Sequence, residues 1–190
     1  MPHFFCIAFG FHYLCNMVFN DLIAKRRSHR SYAGGELDAE QVQAILRAAL
    51  LSPTSRNNRQ WQFVVVDDRI DLQKLSDAKE QGAAFVRDAA LAVVVLGCPD
   101  KNDCWVEDGS IAAYAMQLQA EDLGLASCWV QIRGRRLSDG TKASDVVRGI
   151  LDIPEDHEVL CLIAFGKKKK DLPPHDEDSQ KWENIHPDKF

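Results

Sequence analysis

The sequence predicts an α/β or α+β fold in which a single sheet lies between layers of helices. Short apolar segments typical of strands alternate with helical patterns along the chain, and one long helical pattern is apolar on most of its surface. No internal repeat or long linker divides the 190 residues, which is about the size of one domain. We therefore expect one domain, over residues 17–190.

The first half of the chain contains four predicted elements. Asp38 and Gln41 have capping-box spacing, and apolar residues recur at helical intervals behind them. We expect this helix to end before Pro53, because the residue preceding a proline is disfavoured in the α region. The other elements in this half are a helix at residues 19–25, a β-branched strand at 63–66 and a helix at 72–79.

The second half contains the most apolar elements. Residues 91–96 are apolar without alternation, which is typical of a central strand covered on both faces. Residues 109–123 form a long helix that we expect to be central and buried, with Gly124 just after its end. The remaining elements are a strand at 127–132, a helix that finishes over 146–151 and a last strand at 158–165.

The composition excludes several classes of function. A formal net charge of −5 argues against a nucleic-acid partner, and no apolar segment reaches the roughly 18 residues of a membrane span. The six cysteines are scattered without a Cys-x-x-Cys pair, and the histidines lack metal-ligand spacing, so no metal site is expected. Free thiols within apolar segments favour a reducing compartment, and we expect a cytoplasmic protein.

Residues 1–16 differ from the rest of the chain. They are rich in aromatic residues but lack the cationic start and cleavage site of a secretory signal. The chain from Met17 onwards has the character of a natural protein start. We expect either that Met17 is the initiator or that residues 1–16 lie outside the core fold.

Two basic clusters are candidate phosphate sites. The first, residues 26–30, contains three arginines and a serine; the second is the run of four lysines after Gly166. Guanidinium groups bind phosphate oxygens in a bidentate manner, which favours a site. Taken alone, however, each cluster is more often solvated surface charge.

A polar loop, residues 52–61, is the third candidate. Its short hydroxyl and amide side chains could surround the edge of a planar heterocycle, although an ordinary polar turn explains them as well. Trp61 at its end is expected to be a core residue. The sequence has no Gly-x-Gly-x-x-Gly after a strand, no P-loop and no Gly-x-Ser-x-Gly motif, so those nucleotide and hydrolase sites are not supported.

Taken in order, four motifs resemble the nitroreductase family from about residue 19 to the C-terminus. The first two are Arg26-Arg27-Ser28-x-Arg30-x-Tyr32 and Pro53-Thr54-Ser55-x-Asn57-x-x-x-Trp61. The third is Leu-Gly-Leu-x-Ser-Cys-Trp at residues 123–129, and the fourth runs from Ile153-Pro154 to Phe165-Gly166. Each motif is weak alone, but their order and spacing together are specific.

The resemblance implies an α+β fold with a central, mostly antiparallel sheet flanked by helices, and a homodimer with non-covalent FMN at its interface. It also implies an oxidoreductase that passes hydride from NAD(P)H through the flavin to a small organic acceptor, in two steps. Nitroaromatics, quinones and enones are the acceptor classes. The alternative is a flavin-binding dimer of the same fold with a specialised or no redox turnover.

The same resemblance implies a set of cofactor-binding residues and no dedicated catalytic residue. The phosphate and ribityl chain would be held by Arg26, Arg27, Ser28 and Arg30, together with Lys168 and Lys170 after the last strand. The flavin ring would be met from the other subunit by Pro53, Thr54, Ser55, Asn57 and Arg59. Gln131 stands where many members have a glycine, and we expect it beside the flavin.

Overall fold

In the computed structural model, which describes residues 18–190, helices and strands alternate along the chain. The helices are α1 (Phe19–Lys25), α2 (Ala39–Leu50), α3 (Arg69–Ser76), α4 (Trp105–Asp122) and α5 (Ala143–Leu151). The strands are β1 (Tyr32–Ala33), β2 (Gln62–Val66), β3 (Leu91–Gly97), β4 (Leu125–Gln131) and β5 (Glu158–Lys168). The predicted extra segment, residues 1–16, lies outside the described residues, and none of the described helices is long and apolar enough to cross a membrane.

The strands form one antiparallel sheet around β5. Strand β5 pairs with β3 on one edge and with β4 on the other, while β2 extends the sheet beyond β3. Lys167 of β5 pairs with Leu125 of β4 and with Ala33 of β1 on its opposite edges. This arrangement confirms the α+β class with a central antiparallel sheet.

The alternating side chains of β3 divide the core into two layers. Ala92, Val94 and Leu96 pack with residues of α3 and α5 on one face of the sheet. Val93 and Val95 pack with α2 and α4 on the other face. Every residue of β3 is buried, as the apolar run without alternation predicts.

The ends of the helices have local causes. The capping box of α2 forms, with the Asp38 N–H donating to Gln41 Oε1 at 3.1 Å. Gly124 follows α4 with a φ of +71°, the left-handed conformation expected of a glycine after a helix. Helix α3 begins three residues earlier than predicted because the Asp68 carboxylate accepts from the N–H groups of Ile70 and Asp71.

Three further predictions are corrected. Helix α4 starts at Trp105, about one turn earlier than predicted, and its burial is one-sided, since Ile111 and Tyr114 remain 44% and 41% exposed. Strand β5 continues to Lys168, so the first two lysines of the basic run belong to the sheet. The short strand β1 was not predicted, because two residues carry no detectable periodicity.

Gly109 and Gly149 provide a matched test of packing between α4 and the sheet. A Cβ on Gly109 would lie 2.7 Å from a methyl carbon of buried Leu160, whereas a Cβ on Gly149 in α5 meets nothing within 4 Å. We expect Gly109→Ala to reduce the free energy of unfolding by about 1–2 kcal/mol through overpacking. Gly149→Ala is expected to increase it by roughly 0.5–1 kcal/mol through helix propensity. Urea denaturation measures the free energy of unfolding of both variants. If both substitutions change it in the same direction, the packing described for Gly109 is contradicted.

Candidate functional site

The first basic cluster lies along one edge of the sheet. After α1 the chain passes beside β4, where the His29 N–H donates to the Ser127 carbonyl at 3.0 Å and Ser28 pairs with Ser127. It then crosses to the other edge of β5, where Tyr32 pairs with Lys168. The two basic clusters, about 140 residues apart in the chain, are thereby brought to the same end of the sheet.

Arg26 and Arg30 present donors that the described residues leave unused. The Arg26 guanidinium lies 5.7 Å from the centre of the Tyr114 ring, and its buried Nε has no hydrogen-bond partner within residues 18–190. Arg30 is exposed and lines a cleft of about 510 Å³ with Lys169, while Ser28 is exposed beside it. Such a group of unpaired cations is suited to a phosphate.

Arg27 has a different role in the structure. Its guanidinium donates to the backbone carbonyls of Pro173 and Pro174. Close by, the His175 N–H donates to the Ala24 carbonyl at 2.8 Å. Arg27 therefore attaches the C-terminal segment to α1, and its contact with a phosphate stays a prediction.

In the second cluster, one lysine is paired with a carboxylate and the others are exposed. Lys168 Nζ lies 2.6 Å from Glu121 Oε1, and this pair is mostly buried, with side-chain exposures of 19% and 5%. Lys170 is exposed, and Lys169 lines the cleft beside Arg30. The structure thus brings Lys169, another member of the lysine run, next to Arg30 of the first cluster.

His29 is buried between these charged groups. Burial is the main cause that lowers its pKa below 6.5; Lys168 and Arg27 lower it further, against opposing effects of Glu121 and Asp171. The folded state therefore binds fewer protons than the unfolded state between the two pKa values.

We expect the free energy of unfolding to fall as the pH drops from 6.5 through the lowered pKa of His29. His29→Asn should flatten this part of the pH profile, whereas His175→Asn, at an exposed position, should leave it unchanged. Urea denaturation between pH 7.5 and 5.5 measures the effect. Identical profiles for wild type and His29→Asn would refute it.

A second cleft, of about 600 Å³, lies at the far end of β4 and includes Gln131. Its other lining residues are Lys79, Glu80, Gln81, Gly134, Arg135 and Arg136. The Gln131 carbonyl accepts from Lys79 Nζ at 3.2 Å, and its side chain bridges Trp129 Nε1 and the Arg133 carbonyl. Gln131 is therefore held in place at the cleft, and its contact with a flavin stays a prediction.

Lys79 and Arg135 were missed by sequence reasoning. Lys79 directly follows the α3 region, and Arg135 follows a turn at Gly134, so neither belongs to a recognisable motif. Burial lowers the pKa of Lys79, and the charge of Arg135 lowers it further. The only sequence signal was the density of arginines at residues 133–136, directly after a predicted strand.

The thiol of Cys128 is buried in β4 between the first basic cluster and this cleft. Burial raises its pKa, while Arg30, the Ser28 hydroxyl and Lys79 act in the opposite direction. Ser28 pairs with Ser127 near the start of β4 and Gln131 ends this strand, so the cluster and the cleft lie beside successive parts of β4. The volume of the cleft, about 600 Å³, is that of an ordinary ligand site.

The polar loop before β2 is held together by hydrogen bonds between its own residues. The Thr54 hydroxyl accepts from the Arg59 N–H at 3.1 Å, and Arg59 Nε donates to Asn57 Oδ1 at 3.1 Å. Arg56, Asn57 and Arg59 all have φ near +52°, a conformation that is costly for residues other than glycine. Pro53, Asn57 and Arg59 are exposed, so the loop presents polar groups outwards.

Asp108 attaches this loop to α4. Its buried carboxylate accepts from the Ser55 N–H at 2.8 Å and from Asn102 Nδ2 at 2.8 Å. Glu121, which holds Lys168, lies 13 positions further along the same helix, a distance of about 20 Å along its axis. Within one chain, the polar loop and the predicted phosphate-binding residue Lys168 therefore lie at opposite ends of α4.

The described residues contain no group of His, Cys, Asp and Glu side chains able to hold a metal ion. Cys98, Cys128 and Cys161 are buried free thiols, as their apolar surroundings predict. Trp61 is buried and packs against Phe63 with the ring centres 5.4 Å apart, which confirms it as a core residue.

Known proteins resemble this chain over most of its length. An FMN-dependent nitroreductase from Clostridium difficile R20291 superimposes with a TM-score of 0.87 and 39% sequence identity, over 89% of this chain and 98% of that one. A nitroreductase family protein from Clostridium difficile 630 superimposes with a TM-score of 0.76 and 26% identity, over 92% of this chain and 100% of that one.

Sequence comparison agrees with the structural comparison. A protein of Archaeoglobus fulgidus, provisionally named NADH dehydrogenase/NAD(P)H nitroreductase, is 32% identical over 174 residues, which are 89% of this chain and 97% of that protein. The model of the nitroreductase family matches residues 23–167, which include the first basic cluster, the polar loop, all of β4 and the start of the lysine run. On this combined sequence and structural similarity, the chain belongs to the nitroreductase family.

Proposed function

We propose that this chain is an FMN-dependent oxidoreductase that transfers reducing equivalents from NAD(P)H to a small organic acceptor. The observation that supports this most directly is the position of two cationic groups beside β4, with Arg26 and Arg30 near its start and the cleft of about 600 Å³ at its end. Family membership and the FMN-dependent structural relative agree with it. Nitroaromatics, quinones and enones are the proposed acceptors.

The residues along β4 bind and orient the cofactor. Arg26 and Arg30 bind the phosphate with donors that the described residues leave unused. Gln131 and Lys79 line the cleft, and Lys79 would place a positive charge near a flavin ring bound there. FMN supplies hydride acceptance and electron transfer, and a nearby cation favours the negatively charged reduced ring.

We propose a homodimer because one chain does not complete the site. The polar loop with Thr54, Ser55 and Asn57 lies about 20 Å along α4 from the phosphate-binding end. A second copy in antiparallel orientation would bring its loop to the cleft of the first. Arg59 of that loop would then add a second cation near the flavin ring.

An apolar face on the outer side of α1 and α4 is available for this association. Phe19, Ile111 and Tyr114 are 61%, 44% and 41% exposed. A groove of about 430 Å³ beside Phe19 is lined by Leu22, Ala48, Ala115 and Leu118, with Gln119 and Asp122 at its polar part. Clustered exposed apolar side chains of this kind are typical of protein interfaces. Ile111 and Tyr114 lie on α4 between Asp108, which holds the polar loop, and Glu121, which holds Lys168.

The absorbance spectrum of the purified protein tests this proposal directly. We expect a yellow protein that releases FMN on denaturation and oxidises NADH or NADPH in the presence of a nitroaromatic, a quinone or an enone. Colourless protein that takes up no added FMN would refute the proposal. Flavin binding without turnover with any acceptor class would establish the alternative, a flavin-binding protein without redox activity.

We also propose that the protein works in the cytoplasm. Cys98, Cys128 and Cys161 are unpaired thiols in the structure, which suits a reducing compartment. Subcellular fractionation with a tagged full-length chain tests this, and recovery from an oxidising compartment would contradict it.

A further inference from the structure

We propose that Arg135 binds an anionic group, a carboxylate or a phosphate, on the substrate that enters the cleft at the end of β4. This inference rests on the proposed function, since it assumes that FMN occupies the surface along β4. It goes further by naming a chemical property that distinguishes good substrates from poor ones. Four features of the cleft support it.

The backbone of Arg135 is fixed on both sides. Its N–H donates to the Ile132 carbonyl at 2.9 Å, and its own carbonyl accepts from the Ala143 N–H at 2.9 Å. Gly134, with a φ of +73°, makes the turn between β4 and this position. The side chain therefore starts from a defined point at the wall of the cleft, and less entropy is lost when it binds.

The cations of the cleft exceed its anions. Lys79, Arg135 and Arg136 line it together with a single acidic residue, Glu80. No salt bridge within residues 18–190 neutralises any of these three cations. Repulsion from Arg135 contributes to the lowered pKa of Lys79, and an anion between the two would relieve it.

Arg135 is the cation with free donors. Arg136 Nη1 donates to the Gly140 carbonyl at 2.7 Å, and Lys79 Nζ donates to the Gln131 carbonyl at 3.2 Å. Within the described part of the chain the guanidinium of Arg135 makes no hydrogen bond, although it lines the cleft. Its planar set of donors matches a carboxylate or a phosphate.

The anion has to arrive with the substrate. The phosphate of FMN is bound at the opposite end of β4, by Arg26 and Arg30 in the proposed arrangement. The oxidised flavin ring carries no formal charge, so it does not neutralise the cleft. A carboxylate on an aromatic acceptor and the additional phosphate that distinguishes NADPH from NADH are the two sources of an anion.

The test compares Arg135→Gln with Arg133→Gln in the FMN-loaded protein. Arg133 is the matched control because it is an exposed arginine in the same turn, with its guanidinium 5.7 Å from the Trp105 ring and outside the cleft lining. Benzoate and its neutral analogue benzamide are titrated against the oxidised flavin absorbance. KM is measured for NADPH and NADH with one neutral quinone as acceptor.

We expect Arg135→Gln to weaken benzoate binding about tenfold or more relative to benzamide, the size expected for one charged hydrogen bond. A loss confined to benzoate identifies a carboxylate acceptor, and a KM increase confined to NADPH identifies the phosphate. The Arg133→Gln protein should behave as wild type in both comparisons.

Two results would overturn the inference while the proposed function stands. One is an Arg135→Gln protein that retains FMN and discriminates charged from neutral ligands as wild type does. The other is an equal loss in both arginine variants, which would indicate a general field of positive charge. A wild-type protein that binds no FMN would instead refute the proposed function, before any comparison of variants.

Discussion

Replacing Arg26 and Arg30 together with alanine is expected to abolish most FMN binding at micromolar protein. Each lost charged hydrogen-bonding group costs about 1.5–3 kcal/mol. The two together correspond to a Kd increase of at least roughly 100-fold. The physical reason is that both guanidinium groups have N–H donors without a partner in residues 18–190. The Nε of Arg26 is buried without a hydrogen-bond partner, and the side chain of Arg30 is exposed. Fluorescence titration of the apoprotein with FMN measures the change.

Arg148→Ala is the control for general charge loss, because Arg148 lies on α5 and pairs with Asp145 there. Arg27→Ala tests the second role of this arginine, which is to hold the C-terminal segment. We expect this variant to lose less FMN affinity than the Arg26→Ala/Arg30→Ala protein. It should also be cleaved more readily by proteases after residue 170. An unchanged Kd in the Arg26→Ala/Arg30→Ala protein, with its fold intact, would remove the phosphate assignment.

A carboxylate placed on the outer face of α4 is expected to dissociate the proposed homodimer and release its flavin. Ile111→Asp introduces the charge at a half-exposed position, so the monomer should still fold. The interface should lose about 2–4 kcal/mol, the range of a central interface residue. Sedimentation and flavin absorbance together measure the outcome. Ile70→Asp, on the exposed side of α3, is the matched control and should remain dimeric and yellow.

Complementation tests whether the two subunits share each site. Arg26→Ala/Arg30→Ala protein lacks the phosphate contacts, and Asn57→Gly/Arg59→Gly protein lacks loop side chains while glycine accepts the left-handed backbone. After subunit exchange, a shared site predicts that about one quarter of the sites regain all contacts, since half of the dimers are mixed. No recovery after proven exchange would place loop and phosphate contacts in the same subunit.

Local patterns in the sequence predicted most of the secondary structure. The apolar run of β3, the capping box at Asp38 and the glycine after α4 act through neighbouring residues, so they are readable in order along the chain. The fold class and the motifs of the phosphate cluster and polar loop were recognisable for the same reason. Helix α3 begins three residues earlier than predicted because Asp68 caps its start, and it ends at Ser76, before the predicted end at Lys79.

The pairing of charged side chains depended on contacts between distant segments. Lys168 meets Glu121 through the packing of α4 beside β5, and Arg27 meets Pro173 because the C-terminal segment returns to α1. No sequence motif distinguishes these paired cations from Arg26 and Arg30, which remain unpaired within the described chain. Burial and geometry decide which cation already has a hydrogen-bonding partner within the protein, and both are properties of the folded chain.

For this protein, the sequence alone determined the order of the elements, the α+β class and the family to which its four motifs belong. Tertiary structure decided that the basic cluster and Gln131 lie beside the same strand, β4, and that Lys79 and Arg135 line the cleft at its end. It also placed the polar loop about 20 Å along α4 from the phosphate-binding end. The reason is physical: backbone preferences act over a few residues, whereas a binding surface is assembled from side chains that only the packed sheet and helices bring together.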